Sequence, residues 1–221
     1  MSKHLQVELE RIKSDLLTIS SLVERNLTIS VQAIREVDPS VAQKIYGYDD
    51  DVDRMEVDLE EECLKVLELH QPLAGDLRFV VAALKINSDL ERMGDLAVNL
   101  AQRASYLSKL PKVAIPFDFD TMAAQVRSMV KMAIKALIEL DSMLAHQVIK
   151  DDDLVDRIHR EMYARVFANV KADPENAEQH IHYLTVSRFL ERIADIATNV
   201  AEDIVYMVDG TIIRHDRNSL S

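Results

Sequence analysis

Along most of this chain apolar residues recur at intervals of three and four, the spacing that gathers them on one face of an α-helix. Leu90, Met93, Ala97, Leu100 and Ala104 form one such stripe, and Leu190, Ile193, Ala197, Val200 and Ile204 form another. No segment alternates polar and apolar residues in the manner of a strand. Turn residues are scarce and fall at the joints: the 221 residues include four glycines and five prolines. Pro39 and Pro174 each follow an Asp, the pattern of an Asp N-cap with proline at the first helical position, where its missing N–H costs nothing. Pro72 separates two periodic segments, Pro111 and Pro116 mark a seam, and Asp209-Gly210 offers a left-handed helix C-cap. The pattern predicts six helices, at residues 5–37, 40–70, 73–109, 118–149, 151–172 and 175–208.

The third and sixth helices are copies. Leu90 to Ala101 reads LERMGDLAVNLA, and Leu190 to Ala201 reads LERIADIATNVA, with seven of twelve positions identical and three more exchanged between apolar side chains. Unrelated sequences of this composition would share roughly one position. The chain is therefore expected to be all-α, two tandem repeated antiparallel three-helix bundles spanning 1–112 and 113–221. The methionines at 122, 129, 132 and 143 fall at core spacing and are expected to pack along one helix.

The copies preserve polar residues as faithfully as apolar ones. On a helix Glu91, Asp95 and Asn99 lie within about 80° of one another, largely opposite the Leu90/Met93/Leu100 stripe, so they predict an outward polar ridge. The preceding helix of each half supplies a second pair. Aligning Val52-Asp53-Arg54 with Val155-Asp156-Arg157 matches Asp49 to Asp152 and Asp53 to Asp156. Each half thus carries two acid pairs at i and i+4: Asp49/Asp53 with Glu91/Asp95, and Asp152/Asp156 with Glu191/Asp195. If the two helices are antiparallel neighbours, four carboxylates converge, and they must take up protons or a cation to coexist. Hard, oxygen-preferring metal ions are the expected occupants, with Mg, Mn, iron or Zn, divalent or ferric, left open. With 38 acids in the chain, chance alone supplies roughly six pairs at that spacing; the repetition in matched register carries the signal.

Composition narrows the partners. A net charge of −12 argues against nucleic acid, whose phosphates require clustered Lys and Arg. Residues 1–13 carry charges at short intervals instead of a signal-peptide core, and no apolar run approaches the eighteen or so residues that cross a bilayer. A cytoplasmic location is expected, and the single Cys63 on an apolar stripe reads as a buried structural thiol. The other polar residues add less. His159 sits three residues after Asp156, but the matching residue in the first copy is Glu56, so a surface or packing role is expected. His180 and His182 lie on different faces of the sixth helix, and Arg92 and Arg192 read as partners in interhelical salt bridges or as a clamp for an anion.

In combination, Asp49 to Arg54, the segment Gln71-Pro72-Leu73-Ala74-Gly75-Asp76-Leu77-Arg78, Leu90 to Asp95, Leu190 to Asp195 and Asn199 to Tyr206 resemble the PhoU family, phosphate-signalling regulators of bacteria and archaea. The resemblance covers residues 5–210. It implies tandem three-helix bundles whose acid-x-x-x-Asp pairs hold metal ions or clusters. It also implies a non-enzymatic regulator, without a catalytic residue, that joins the phosphate importer ATPase to its sensor histidine kinase and restrains uptake and the phosphate-starvation response. Membrane contact would come only through these protein partners, and a homodimer is expected. Ala194 replaces the glycine usual in the second copy, and Ile196 stands where relatives often carry histidine. Two other readings remain open: a carboxylate-bridged di-iron enzyme, against which the outward placement of the acids speaks, and a metal-free helical adaptor for another transporter.

Overall fold

The computed structural model describes residues 3–213, with the side chains at 41–44, 46 and 48 left aside. Six long helices account for nearly all of it: α1 (Lys3–Glu36), α2 (Pro39–His70), α3 (Gly75–Leu107), α4 (Phe119–Glu139), α5 (Ser142–Ala172) and α6 (Ala177–Asp209). No strand occurs among the described residues. Capping explains most boundaries. The Asp38 carboxylate accepts the Ser40 N–H at 2.8 Å, with Pro39 opening α2. Asp118 accepts from Thr121 N at the start of α4, and Gly210, at φ 72°, closes α6 by donating to the Tyr206 carbonyl. Glycine takes that left-handed backbone angle at no steric cost.

Two predicted boundaries move. The fourth helix stops at Glu139, ten residues before the expected position, because Leu140 adopts the left-handed conformation at φ 52°. Asp141 then caps a new helix by accepting from Leu144 N at 3.0 Å. A leucine terminator leaves no Gly or Pro signal, so periodicity runs straight through the joint. Met143 consequently falls in the first turn of α5 and is 76 % exposed, whereas Met122 and Met129 are buried as expected. The second change is at Pro174, which opens a short 3₁₀ turn, Pro174–Asn176, instead of α6 itself. The Asp173 carboxylate makes no cap there and accepts from the Asn176 side chain at 2.7 Å.

Each half is a bundle of three helices, and α3 and α6 form the seam between them. These two run antiparallel: Lys85 near the start of α3 meets Asp203 near the end of α6 at 3.3 Å, and Arg103 near the end of α3 meets His182 near the start of α6 at 3.1 Å. Arg35 of α1 pairs with Asp120 of α4 across the same seam. One continuous apolar core joins both halves, including Ile12, Leu16 and Leu27 of α1, Leu90 and Leu100 of α3, and Leu190 and Ile193 of α6. Cys63 is fully buried within it, and burial pushes its thiol up to about 12, which leaves it unreactive. Inside each half the α2/α3 and α5/α6 pairs place the acid-bearing helices side by side.

Candidate metal centre

In the first half the groove between α2 and α3 collects Asp49, Asp53, Glu91 and Asp95, all four predicted acids. Asp49 and Glu91 are half-buried, Asp53 and Asp95 exposed. Burial, then the charges of Asp53, Asp95 and Asp50, push Asp49 from the ordinary aspartate value of 3.8 to about 6. Glu91 is raised by burial and then by Asp95, Asp53, Glu56 and Asp49. Asp53 is raised by burial and by Asp95 and Asp50. Glu56 therefore belongs to this cluster as a fifth carboxylate, itself raised by burial and by Glu60 and Asp53. The signal was present in the sequence, since Glu56 lies one turn beyond Asp53 on the same helix.

The second half repeats the arrangement more compactly. Oxygens of Asp152 and Asp156 of α5 and Asp195 of α6 all lie within 4.8 Å of one another. Burial first, then Asp195, Asp156, Glu191 and Asp153, push Asp152 up to about 7. Burial, Glu191 and Asp156 raise Asp195 to about 6, with Arg192 and His159 pulling the other way. Glu191 is raised by burial and Asp156, opposed by Arg188 and Arg192. Burial lowers His159 below the ordinary histidine value, against the pull of Asp156 and Asp195.

These acids form the outward ridge that a single helix wheel predicts only in part: Asp53, Asp95 and Asp195 are exposed, whereas Asp49, Glu91, Asp152, Asp156 and Glu191 are half-buried. Neighbouring helices bury part of each cluster, and the Oδ1 atoms of Asp49 and Asp152 have almost no solvent contact and accept no hydrogen bond from the protein. A buried carboxylate oxygen without a donor needs a proton or a cation. Two oxygens on one ion can be separated by at most twice the metal–oxygen distance, about 4.2 Å for Mg²⁺ and about 5 Å for Ca²⁺. The Asp152/Asp156/Asp195 oxygens already sit at that scale. The residues present therefore fit a hard or borderline divalent ion in the second half, with the four matching acids in a looser arrangement in the first.

The clusters lie on either side of a shared cleft of about 450 Å³ lined by Arg92, Asp95, Leu96 and Asn99 of α3 and by Arg192, Asp195, Ile196 and Asn199 of α6. These are four pairs separated by one hundred residues, so the cleft has local two-fold symmetry. Its arginines depart from the expected interhelical salt bridges. Arg92 pairs within its own helix with Asp89 at 3.5 Å, and Arg192 has no ion pair at that range among the described residues, because position 189 is Phe.

A PhoU domain model matches residues 16–104 and again 119–204. The chain belongs to the PhoU family. Two relatives are each named phosphate-specific transport system accessory protein PhoU homolog. That of Aquifex aeolicus is 36 % identical over 94 % of this chain and 94 % of its own length. That of Pseudomonas aeruginosa is 34 % identical over 97 % and 89 %. The crystal structure of PhoU from Pseudomonas aeruginosa superposes with a TM-score of 0.89 at 34 % identity, covering 93 % of this chain and 99 % of that one. The structure of the phosphate transport system regulatory protein PhoU from Streptococcus pneumoniae shares the fold, with a TM-score of 0.86 at 24 % identity over 94 % and 98 %.

Within this PhoU fold the two departures noted in the second copy have defined places. Gly94 sits where α3 touches α2: a Cβ there would stand 3.3 Å from Asp49 Oδ1 and 3.5 Å from Val52 Cγ1. The missing side chain makes room for the Asp49 carboxylate. The matching Ala194 methyl is fully buried. Ile196 is 8 % exposed on the wall of the symmetric cleft, where it supplies an apolar surface and no donor.

Proposed function

We propose that this protein is a metal-binding regulatory adaptor that restrains high-affinity phosphate uptake and the phosphate-starvation response. It acts in the cytoplasm, as a homodimer, by binding the importer ATPase and the sensor histidine kinase. The observation that carries the reading is membership of the PhoU family through both repeats, whose relatives are named as accessory proteins of phosphate-specific transport. The paired acid clusters support the metal-binding part. No helix among the described residues is long and apolar enough to cross a membrane, so contact with a transporter runs through protein surfaces. Regulation by binding requires no catalytic group, and the adaptor works by shifting its partners between states.

Deleting the gene tests this directly. Importer and scavenging genes are expected to be expressed in phosphate-rich medium, and a stoichiometric complex with the ATPase or the kinase is expected from purified components. Normal phosphate-regulated expression in the deletion strain, with no binding to either partner, rejects the assignment.

A further inference from the structure

The two clusters differ in one donor. Position 56 of α2 is Glu and the matching position of α5 is His159. Each faces a polar residue one helix away, but the partners are used differently. In the first half the Asn87 side-chain amide donates to the Glu56 main-chain carbonyl at 2.8 Å, which leaves the Glu56 carboxylate to the acid cluster. In the second half the partner is Ser187, whose Oγ lies 3.0 Å from His159 Nδ1.

The Ser187 hydroxyl favours one arrangement of the ring. The Ser187 hydroxyl has one proton, and it donates that proton to the Leu184 carbonyl at 2.9 Å. With that bond made, the hydroxyl oxygen is an acceptor toward His159, the arrangement in which Nδ1 carries the ring proton and Nε2 keeps the lone pair. A histidine that donates through one nitrogen to a neighbour and leaves the other bare has the tautomer and fixed orientation of a metal-binding imidazole. The ring is held from a second side by Tyr163, edge-on at 5.3 Å between centroids. His159 also stands one turn beyond Asp156 on the face of α5 that carries Asp152. Both Asp156 and Asp195 are close enough to act electrostatically on the ring.

We propose that His159 Nε2 is a nitrogen ligand of the second acid cluster, so that the two halves bind different classes of ion. The first cluster, with Glu56 in this position, is all-oxygen and takes hard cations of the Mg²⁺ and Mn²⁺ class. The second combines carboxylates with an imidazole and takes borderline ions of the Zn²⁺ and Fe²⁺ class. His159 lies outside the close Asp152/Asp156/Asp195 triad, so its side chain would have to shift toward the ion on binding. The inference rests on the metal-binding reading of the acids and adds a donor and a selectivity to it.

The test titrates the full-length protein, stripped with chelator, with Zn²⁺ and with Mn²⁺ by calorimetry, for wild type, His159→Glu, Ser187→Ala and Asp152→Asn. His159→Glu installs the donor of the first half and is expected to lose about 10-fold or more in Zn²⁺ affinity at one site while Mn²⁺ binding stays within a few-fold. Ser187→Ala leaves the ring in place but removes its acceptor, and is expected to weaken Zn²⁺ binding in the same direction. Asp152→Asn is expected to weaken both metals. Because a packed ring is being replaced, the wild-type protein supplies an independent reading: on Zn²⁺ loading, ¹⁵N NMR of the His159 ring is expected to show Nδ1 still protonated and the Nε2 resonance shifted. Zn²⁺ binding with an unshifted Nε2 and an unchanged Zn²⁺/Mn²⁺ ratio in His159→Glu overturns the ligand assignment while the acid site stands. No binding of either ion by wild type overturns both.

Discussion

The first and second acid clusters occupy the same helix positions, yet one is open and uniformly negative and the other compact and partly compensated. No cation is among the groups that shift Asp49, Asp53, Glu56 or Glu91. In the second cluster Arg188, Arg192 and His159 oppose the acids. The difference traces to single positions. Asp89 pairs with Arg92, which is not among the groups that shift the first cluster, while Phe189 leaves Arg192 without such a partner and close enough to act on Glu191 and Asp195. Gly94 lets Asp49 settle against α3, where Ala194 places a methyl. A duplicated scaffold thus keeps its acids and changes the charge and room around them without altering the fold.

The largest expected effect tests whether the compact cluster is a preformed site. Replacing both Asp152 and Asp195 with Asn removes the charge of two of the three carboxylates whose oxygens already lie within 4.8 Å of one another. Loss of more than about 100-fold in metal affinity at one site is expected, given that even outer-shell changes cost 10–100-fold. The other site should be retained, as read by calorimetry. The matching Asp49→Asn, Asp95→Asn variant is expected to lose the first-half site only. If either double variant removes both binding events, the clusters act as one site across the shared cleft and the comparison fails.

A second effect separates the clusters by pH. Asp152 is raised to about 7 and Asp49 to about 6, so each binds its proton more tightly in the folded state than in the unfolded chain. Such a group adds stability that is complete below about pH 4 and disappears as pH rises through its folded value. In chelator-treated protein, Asp152→Asn is expected to gain in Tm relative to wild type as pH rises from about 4 to 7, and Asp49→Asn from about 4 to 6. Metal should abolish the gain, because the ion replaces the proton. A variant that falls relative to wild type over that range would mean that the carboxylate is stabilised in its charged form, contrary to its surroundings.

How much of this could be read in the sequence differs between fold and site. The Asp38-Pro39 start and the Gly210 stop were legible because each encodes its own backbone geometry. The joint at Leu140 was not, because an αL leucine is tolerated only through its tertiary setting and leaves Asp141 as a lone N-cap clue. The eight acids were legible through their matched spacing in both copies. Their partial burial was not, since one helix wheel cannot show that α2 and α5 cover a flank of α3 and α6. The contact of His159 with Ser187, twenty-eight residues away and itself bonded to Leu184, was not legible either, because it forms between α5 and α6. The cross-seam contacts of Lys85 with Asp203 and Arg103 with His182 have no sequence signature at all.

A smaller effect tests the room beside Asp49. Gly94→Ala adds helix propensity worth up to about 1 kcal/mol. The new Cβ would meet the end of the Asp49 side chain at 3.3 Å, a contact that side chain relieves by a few tenths of an ångström. A net gain below about 1 kcal/mol is expected from urea unfolding. The reverse change, Ala194→Gly, loses both propensity and a fully buried methyl, and is expected to cost about 1–2 kcal/mol. A Gly94→Ala protein destabilised by more than about 1 kcal/mol would show that Asp49 is fixed against α3 and that the glycine is required by the site.

The smallest expected effect concerns Arg192, the charge that most distinguishes the two surroundings. It stands beside Glu191 and Asp195 and lowers both, so it competes with a bound cation for the same carboxylates. Arg192 is exposed, and an exposed charge of this kind is worth about 0–1 kcal/mol. Arg192→Gln is therefore expected to tighten metal binding in the second half by about 2–5-fold at low ionic strength. The gain should shrink as salt is added, because the screening length falls to about 8 Å at physiological ionic strength. The same substitution at Arg92 is expected to leave the first cluster nearly unchanged, since Asp89 already holds that guanidinium. Equal responses to the two substitutions would show that the Asp89-to-Phe189 exchange does not set the difference, and would move its cause to His159 and the tighter spacing of the acids.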